Sequence, residues 1–233
     1  MMSGQRILAV VVGLALAAPT FAASWAESMF EESACDFGAV PHGLVMTHHF
    51  RIKNNTGKRV TIGNVRVSCG CTSAQALKTR LEAGEETSVV AQMDTGRFTN
   101  SRTVTVFVRF DEPQYEEVSV KVTANSRDDL SITPAPLDLG RVKSGDDTAK
   151  SARIVCYSNS QDKIQDCTSE SSFVIPTVKE MKRSDGSVEY QLTVKLRNDI
   201  PAGKWYTTVS MKTNNSSMPR ISVPVMVEVV ANK

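Results

Sequence analysis

The sequence has 233 residues, which is enough for one large domain or two small ones. Its 27 lysine and arginine residues outnumber the 25 acidic residues by only two and are scattered, which argues against a nucleic-acid or anionic-membrane surface. The sequence contains no nucleophile elbow, zinc-protease helix, phosphate-binding glycine loop or dinucleotide fingerprint, so we expect neither an enzyme nor a cofactor-binding site.

The N-terminus has the order of a secretory signal peptide. Arg6 precedes an apolar run over 7–18, and small residues follow it. An apolar run of about a dozen residues is too short for a membrane span, which needs roughly 20. We therefore predict a signal peptide over 1–26, cleaved after Ala22 or Ala26. The mature chain is then expected without a membrane span, exported to the periplasm or cell surface.

Alternating apolar and polar residues after the signal peptide predict half-buried β-strands. The positions expected to face inward on three of these strands are Met46, His48, Phe50 and Ile52; Val104, Val106, Val108 and Phe110; and Val118, Val120 and Val122. Turn sequences such as NNTG at 54–57 and EAGEE at 82–86 separate the strands. Because one apolar sheet face needs a second sheet to cover it, the pattern predicts an all-β, immunoglobulin-like β-sandwich.

An internal repeat indicates two such sandwiches. The segment CDFGAVPHG at 35–43 returns 102 residues later as LDLGRVKSG at 137–145. We therefore predict a first sandwich over 30–126 and a second, degenerate one over 127–233. The junction between them is short and leads directly into a strand, which favours limited swing between the two.

The three histidines do not predict a metal site. His48 and His49 are adjacent, and successive residues of a strand point to opposite faces, so one ion cannot easily bind both. His48 is in phase with Phe50 and Ile52, which predicts a packed, hydrogen-bonded core histidine.

The five cysteines leave at least one thiol unpaired, and an exported location permits disulfides. We expect Cys156 to pair with Cys167 in the second sandwich. In the first, Cys35 could join either Cys69 or Cys71.

The stretch VRVSCGCTSA at 65–74 places Cys69 and Cys71 on either side of Gly70. A bond between these two cysteines requires a bent backbone at Gly70, because extended residues two apart lie about 6.6 Å from each other. Two thiolates at this spacing also suit a soft metal, copper(I) or zinc, or a redox pair. The simpler alternative is a pair of small apolar residues at the end of a strand.

Several of these motifs together resemble a known family. DFGAVPHG, HHFRIKNNTG, VRVSCGCTSA, LEAGEE and MDTGRFTNSRTVTVFVRFD, in this order, resemble a bacterial exported immunoglobulin-like family called domain of unknown function fifteen-seventy-three. The resemblance covers about residues 35–230, in the duplicated form of planctomycete type. It implies a sandwich related to the PapD pilus chaperones and to ASH domains, and it implies no established activity. The second copy departs from the pattern, because DCTSESS offers Cys167 alone.

These observations lead to one main functional hypothesis and two alternatives. The main one is an exported, non-enzymatic binding or structural module that contacts protein partners of the cell envelope through sandwich edges and loops. The first alternative is a metal or thiol-redox site at Cys69 and Cys71. The second is a protein similar to pilus chaperones, although no basic pair for the chaperone cleft is recognisable.

Overall fold

The computed structural model describes residues 24–157 and 162–231, and most of them lie in β-strands. The predicted signal peptide therefore lies outside the described residues except for 24–26. The first half of the chain contains eight strands: β1 (Ala34–Pro41), β2 (Val45–Lys53), β3 (Val60–Val67), β4 (Thr72–Ala76), β5 (Arg80–Leu81), β6 (Glu86–Asp94), β7 (Asn100–Glu112) and β8 (Glu116–Arg127).

The second half repeats this arrangement with eight further strands. They are β9 (Leu130–Thr133), β10 (Leu137–Lys143), β11 (Ala149–Cys156), β12 (Ile164–Ser169), β13 (Val174–Ser184), β14 (Ser187–Leu196), β15 (Gly203–Thr213) and β16 (Arg220–Val230). Within the described ranges, the helical residues are confined to two 3-10 helices, Glu27–Met29 and Thr95–Arg97. None of the helices described has the length and apolar character needed to cross a membrane.

In each half two sheets enclose a core. In the first half, the sheet β2-β6-β4 lies opposite β1-β8-β7-β3-β5. In the second half, the sheet β13-β14-β11-β9 lies opposite β10, β16, β15 and β12. Buried apolar residues form two clusters, one in each half. The first extends from Ala26 to Ala124, and the second consists of residues of the second half together with Ala39 of the first. The fold is the expected all-β, immunoglobulin-like arrangement.

The alternation in the sequence corresponds to burial in the structure. Met46, Phe50 and Ile52 on β2 are buried, and so are the predicted inward positions of β7 and β8. Burial of one residue in two makes each strand amphipathic, so two sheets must face each other to remove both apolar faces from water.

The two nine-residue segments adopt the same local structure. Gly38 and Gly140 both have positive φ, 68° and 78°, a conformation that favours glycine. Each glycine donates its backbone N–H to the aspartate two residues earlier, Asp36 or Asp138, at 2.8 Å. Each segment also pairs in parallel with the last strand of its own half and has a register shift at this glycine.

A backbone pairing also recurs 102 residues later in the chain. Phe30 bridges Ile52 in the first half, and Ile132 pairs with Ile154 in the second, both antiparallel. Segments 102 residues apart thus share the same hydrogen bond between glycine and aspartate, the same backbone conformation and the same strand register.

The two halves meet where β1 contacts β16, at the parallel pair Ala39 and Ile221. This contact joins β1-β8-β7-β3-β5 of the first half to β10, β16, β15 and β12 of the second in one nine-stranded sheet. Arg220 at the start of β16 forms an ion pair with Asp36, with Nη2 and Oδ2 2.7 Å apart, and also donates to the carbonyl oxygen of Asp36. The Asp-Gly motif of the first half therefore also forms part of the junction.

Candidate functional site

The CGC turn, residues 69–71, connects β3 in one sheet of the first half to β4 in the other. Residues 70 and 71 form a turn, and Cys69 and Cys71 are joined by a disulfide with their Cα atoms 5.3 Å apart. The separation is shorter than the roughly 6.6 Å of two extended residues because the backbone bends at Gly70. The bend that a direct bond requires is therefore present.

Hydrogen bonds from β4, β6 and the 3-10 helix Thr95–Arg97 fix the CGC turn. The N–H of Asp94, on β6, donates to the carbonyl oxygen of Cys71 at 2.9 Å, and the N–H of Thr72 donates to that of Cys69 at 3.2 Å. The guanidinium Nη1 of Arg97 donates to the carbonyl oxygen of Gly70 at 3.2 Å. Asp94 also accepts from Nε of Arg97 at 3.1 Å, which orients the guanidinium.

The two sulfur atoms have different surroundings. Cys71 is 6% exposed and belongs to the first core, whereas Cys69 is only partly buried against it. The N–H of Cys71 donates to Sγ of Cys69 at 3.3 Å, and Sγ of Cys71 lies 3.9 Å from the hydroxyl oxygen of Thr72. Around Gly70, a side-chain carbon would meet no atom within 4 Å, so the turn is open to solvent on that side.

The other cysteines do not pair as the sequence led us to expect. Cys35, Cys156 and Cys167 are free thiols, so the structure has neither the Cys156–Cys167 bond nor a bond from Cys35 to Cys69 or Cys71. Cys156 lies on β11 and Cys167 on β12, which belong to different sheets rather than to neighbouring strands.

Burial keeps the free thiols protonated. It raises the pKa of Cys35 to about 12, with a further contribution from the carboxylate of Glu170. Burial likewise raises the pKa of Cys156 and of Cys167 to about 11. Among the described residues, no group of three or more histidine, cysteine, aspartate or glutamate side chains is arranged to hold a metal ion. The copper or zinc alternative at Cys69 and Cys71 therefore has no third ligand within this part of the chain.

A cleft of about 540 Å³ separates the two halves. Its walls are β2 and the segment before β1 on one side, and β15 with the loop before β13 on the other. The lining combines carboxylates, histidines, one arginine and aromatic rings: Glu31, Glu32, Thr47, His48, His49, Arg51, Glu170, Ser171, Ser172, Phe173, Trp205, Tyr206, Thr207 and Thr208.

The adjacent histidines lie on opposite sides of β2, as the strand period requires. His48 is 11% exposed, lies edge-on to Phe50 with ring centroids 4.7 Å apart, and its Nε2 is 2.7 Å from Oε1 of Glu32. His49 stacks on Tyr206 of the second half with centroids 5.5 Å apart. Burial lowers the pKa of His49, so this ring is neutral at pH 7.

Glu170, in the loop before β13, contributes a partly buried carboxyl group from the second half to the cleft. Burial raises its pKa, and the nearby carboxylate of Glu32 acts in the same direction while His48 opposes it. Sequence reasoning missed Glu170, Tyr206 and Arg97, because nothing local in their segments distinguishes them from ordinary surface residues.

The outer edges of the three-stranded and four-stranded sheets, at β4 and β13, are the third candidate surface. Among the described strands, β4 is paired with β6 alone and β13 with β14 alone. Ile175 and Met181 on β13 are 46% and 52% exposed, and Leu77 directly after β4 is also exposed. An unpaired strand edge presents backbone N–H and C=O groups to solvent.

Comparison with known proteins finds a family match in the first half. Residues 28–125 match the family model described as "Protein of unknown function (DUF1573)". This confirms the resemblance derived from the motifs for this part of the chain, and the match does not extend into the second half. No curated protein matches the chain.

Solved structures match the chain only at low similarity. A protein of unknown function from Porphyromonas gingivalis W83 is 13% identical with a TM-score of 0.34, and the match covers 85% of this chain and 98% of that one. The CupB2 chaperone of Pseudomonas aeruginosa is 11% identical with a TM-score of 0.32, covering 84% of this chain and 98% of that one. Both likenesses are too distant to bear on function.

Proposed function

We propose that this chain, whose residues 28–125 match the DUF1573 family model, is an exported, non-enzymatic binding module that contacts protein partners of the cell envelope through its sheet edges. A module of this kind needs an accessible surface that a second chain can recognise. Strand addition supplies main-chain hydrogen bonds for affinity, and exposed side chains along the same edge supply specificity.

The observation that supports this proposal is the outer edge of β13. The strand has 11 residues, and among the strands that the structure describes it pairs with β14 only, so its other edge can accept an extended segment of a partner. Ile175 and Met181 are exposed near its two ends and offer apolar contacts at about 20 Å separation, from a rise of roughly 3.3 Å per residue.

The same strand has features that oppose pairing with a second copy of itself. Pro176 has no backbone N–H to donate, and Lys179 and Lys182 are exposed cations. A register shift between Glu180 and Lys182 also interrupts the regular ladder. These devices disfavour an indiscriminate strand contact and support a partner chosen by charge as well as by shape.

Export is the second part of the proposal, and the packing of residues 25 and 26 favours one of the two cleavage sites. Ala26 is fully buried, and Trp25 packs edge-on against Phe110 with ring centroids 5.7 Å apart. Cleavage after Ala26 would remove both residues from the first core. Cleavage after Ala22 would keep them, so we propose a mature chain that begins at Ala23.

Affinity capture tests the proposal directly. The mature protein serves as bait in an extract of the source organism's cell envelope, beside a variant carrying Ile175→Lys and Met181→Lys. A matched control is Tyr115→Lys, because Tyr115 is 67% exposed in the hairpin turn between β7 and β8, away from β13. Exposed positions of this kind tolerate substitution with little change in stability.

We expect a partner that binds the wild-type protein and the Tyr115→Lys variant and is lost from the β13 variant. Equal capture by all three proteins would refute the role of this edge. Absence of any specifically retained protein would refute the binding-module proposal itself.

A further inference from the structure

We propose that the Cys69–Cys71 disulfide exchanges with a dithiol of another protein, so that the CGC turn is a thiol–disulfide exchange centre. This activity goes beyond the binding proposed for β13 and does not depend on it, because the turn lies in the other half of the chain. Four observations carry the inference: the small structural role of the bond, its isolation from other reactive thiols, its accessibility and its rigid setting.

The bond closes a loop of only three residues, from Cys69 to Cys71. A disulfide stabilises a fold mainly by restricting the unfolded chain, and this effect shrinks as the enclosed loop becomes shorter. The hydrogen bonds from Asp94, Thr72 and Arg97 already fix the same turn. The bond therefore adds little to a segment that is held in place without it.

The protein is oxidised at this pair alone among the described cysteines, while three thiols stay reduced. Cys35 and Cys156 are buried, and burial raises the pKa of all three thiols well above 9. Since the thiolate is the nucleophile in exchange, these groups compete poorly for the disulfide at neutral pH. The bond is thus protected from scrambling within its own chain.

The geometry also fixes which sulfur reacts. Cys69 is partly exposed, and a β-carbon added at the adjacent Gly70 would meet no atom within 4 Å, whereas Cys71 is 6% exposed. An incoming thiolate therefore reaches Sγ of Cys69. The N–H of Cys71 points to this same sulfur at 3.3 Å and would stabilise negative charge on it when it leaves in the second step.

The exchange conserves atoms and electrons without a further reactant. The partner's first thiolate attacks Sγ of Cys69, the Cys69–Cys71 bond breaks, and Cys71 leaves as a thiolate that takes up a proton. The partner's second thiolate then attacks the partner sulfur of the mixed disulfide and releases Cys69. Two electrons and two protons pass from the partner, which becomes a disulfide, to the Cys69–Cys71 pair, which becomes a dithiol.

Arg97 is a positioning residue in this scheme. Its guanidinium holds the carbonyl oxygen of Gly70, and the backbone N–H of Asp94 holds that of Cys71. These contacts involve backbone oxygens and not sulfur, so they persist when the bond opens. The two sulfurs then stay close, which makes the exchange reversible with little rearrangement.

The test uses the oxidised full mature chain and a synthetic peptide that contains a Cys-Gly-Pro-Cys dithiol as probe. After anaerobic incubation at neutral pH the mixture is quenched with acid and alkylated with N-ethylmaleimide. Mass spectrometry then gives the number of alkylated cysteines in the protein and in the peptide. We expect the protein to change from three to five alkylated cysteines while the peptide becomes oxidised. The Cys167→Ser variant is the matched control, and it should gain two alkylated cysteines in the same way.

Single variants identify the attacked sulfur. For trapping, the peptide is replaced by a Cys-Gly-Pro-Ser peptide, which lacks the second thiol that would release it. Cys71→Ser, activated at Cys69 with a thionitrobenzoate group, should form the peptide-linked disulfide at least ten times faster than Cys69→Ser activated at Cys71. Arg97→Gln should slow exchange in the folded protein while leaving the rate in urea unchanged, which separates positioning from intrinsic thiol reactivity. Circular dichroism checks that each variant is folded.

Two results would overturn the proposal. One is an oxidised wild-type protein that resists the peptide when folded and reacts only in urea, which would make the bond purely structural. The other is equal trapping by both single variants, since the structure gives Cys69 the greater access.

Discussion

Replacing Gly38 by alanine tests whether the repeated Asp-Gly motif acquired a second role at the junction of the two halves. Gly38 has φ of 68°, and a β-carbon added there would lie 2.8 Å from the backbone oxygen of Arg220. Gly140, the equivalent residue in the second half, has φ of 78°, but an added β-carbon would meet nothing within 4 Å. The two substitutions therefore share the backbone penalty and differ in the contact.

The expected magnitudes follow from this difference. A non-glycine residue in the left-handed region costs about 1–2 kcal/mol, which is the expected loss for Gly140→Ala. Gly38→Ala adds forced overlap with a backbone atom, for which core overpacking suggests a further 1–3 kcal/mol or so. The contact cannot be relieved by rotating a side chain, because the carbonyl oxygen of Arg220 belongs to β16 itself.

Equilibrium unfolding in urea, followed by far-ultraviolet circular dichroism and tryptophan fluorescence, measures both variants. We expect Gly38→Ala to lose more stability than Gly140→Ala. Adding Arg220→Ala to Gly38→Ala should not restore the stability of Gly140→Ala, since it leaves the backbone overlap and also removes the ion pair with Asp36. Equal losses for the two glycine variants would refute the assignment of Gly38 to the junction.

Three further predictions follow from the packing. Asn54 is 1% exposed and its Nδ2 donates to three carbonyl oxygens at 2.7–3.2 Å, so Asn54→Asp, which sets a carboxylate against them, should cost about 3 kcal/mol or more in urea unfolding. The raised pKa of Cys35, about 12 against 9.0, makes the folded state keep a proton that the unfolded chain loses. The contribution of Cys35 to the free energy of unfolding should thus be fully present below pH 9 and decrease as the pH rises towards 12. The decrease should be smaller in Cys35→Ala, and identical pH profiles for the variant and the wild-type protein would contradict this. N-terminal sequencing of the exported protein should begin at Ala23, and a start at Glu27 would contradict the placement of Trp25 in the core.

The sequence was informative where structure depends on local periodicity. Apolar and polar residues alternate along β2, β7 and β8, and the apolar ones, such as Phe50, Val106 and Val120, are buried. The motif around Gly38 was recognisable because its conformation depends on a glycine and on an aspartate two residues away. The all-β class and the shared local conformation at Gly38 and Gly140 could therefore be predicted from the chain alone.

The cysteine pairing could not be predicted in this way. Cys156 and Cys167 are near in sequence, but they lie on strands of opposite sheets, whereas the bend at Gly70 brings the sulfurs of Cys69 and Cys71 together. Which of these occurs depends on where the chain crosses from one sheet to the other. That crossing is determined by the packing of the whole sandwich.

The cleft between the halves shows the same limit at longer range. His49 stacks on Tyr206, and Glu170 lies close enough to Glu32 and His48 for their charges to affect its pKa, although more than a hundred residues separate the partners in the chain. The sequence by itself determined which face of each strand is buried, because burial repeats with the two-residue period of the strand. The tertiary structure alone decided which side chains meet, because that depends on how strands distant in sequence pair and on where the two halves come into contact.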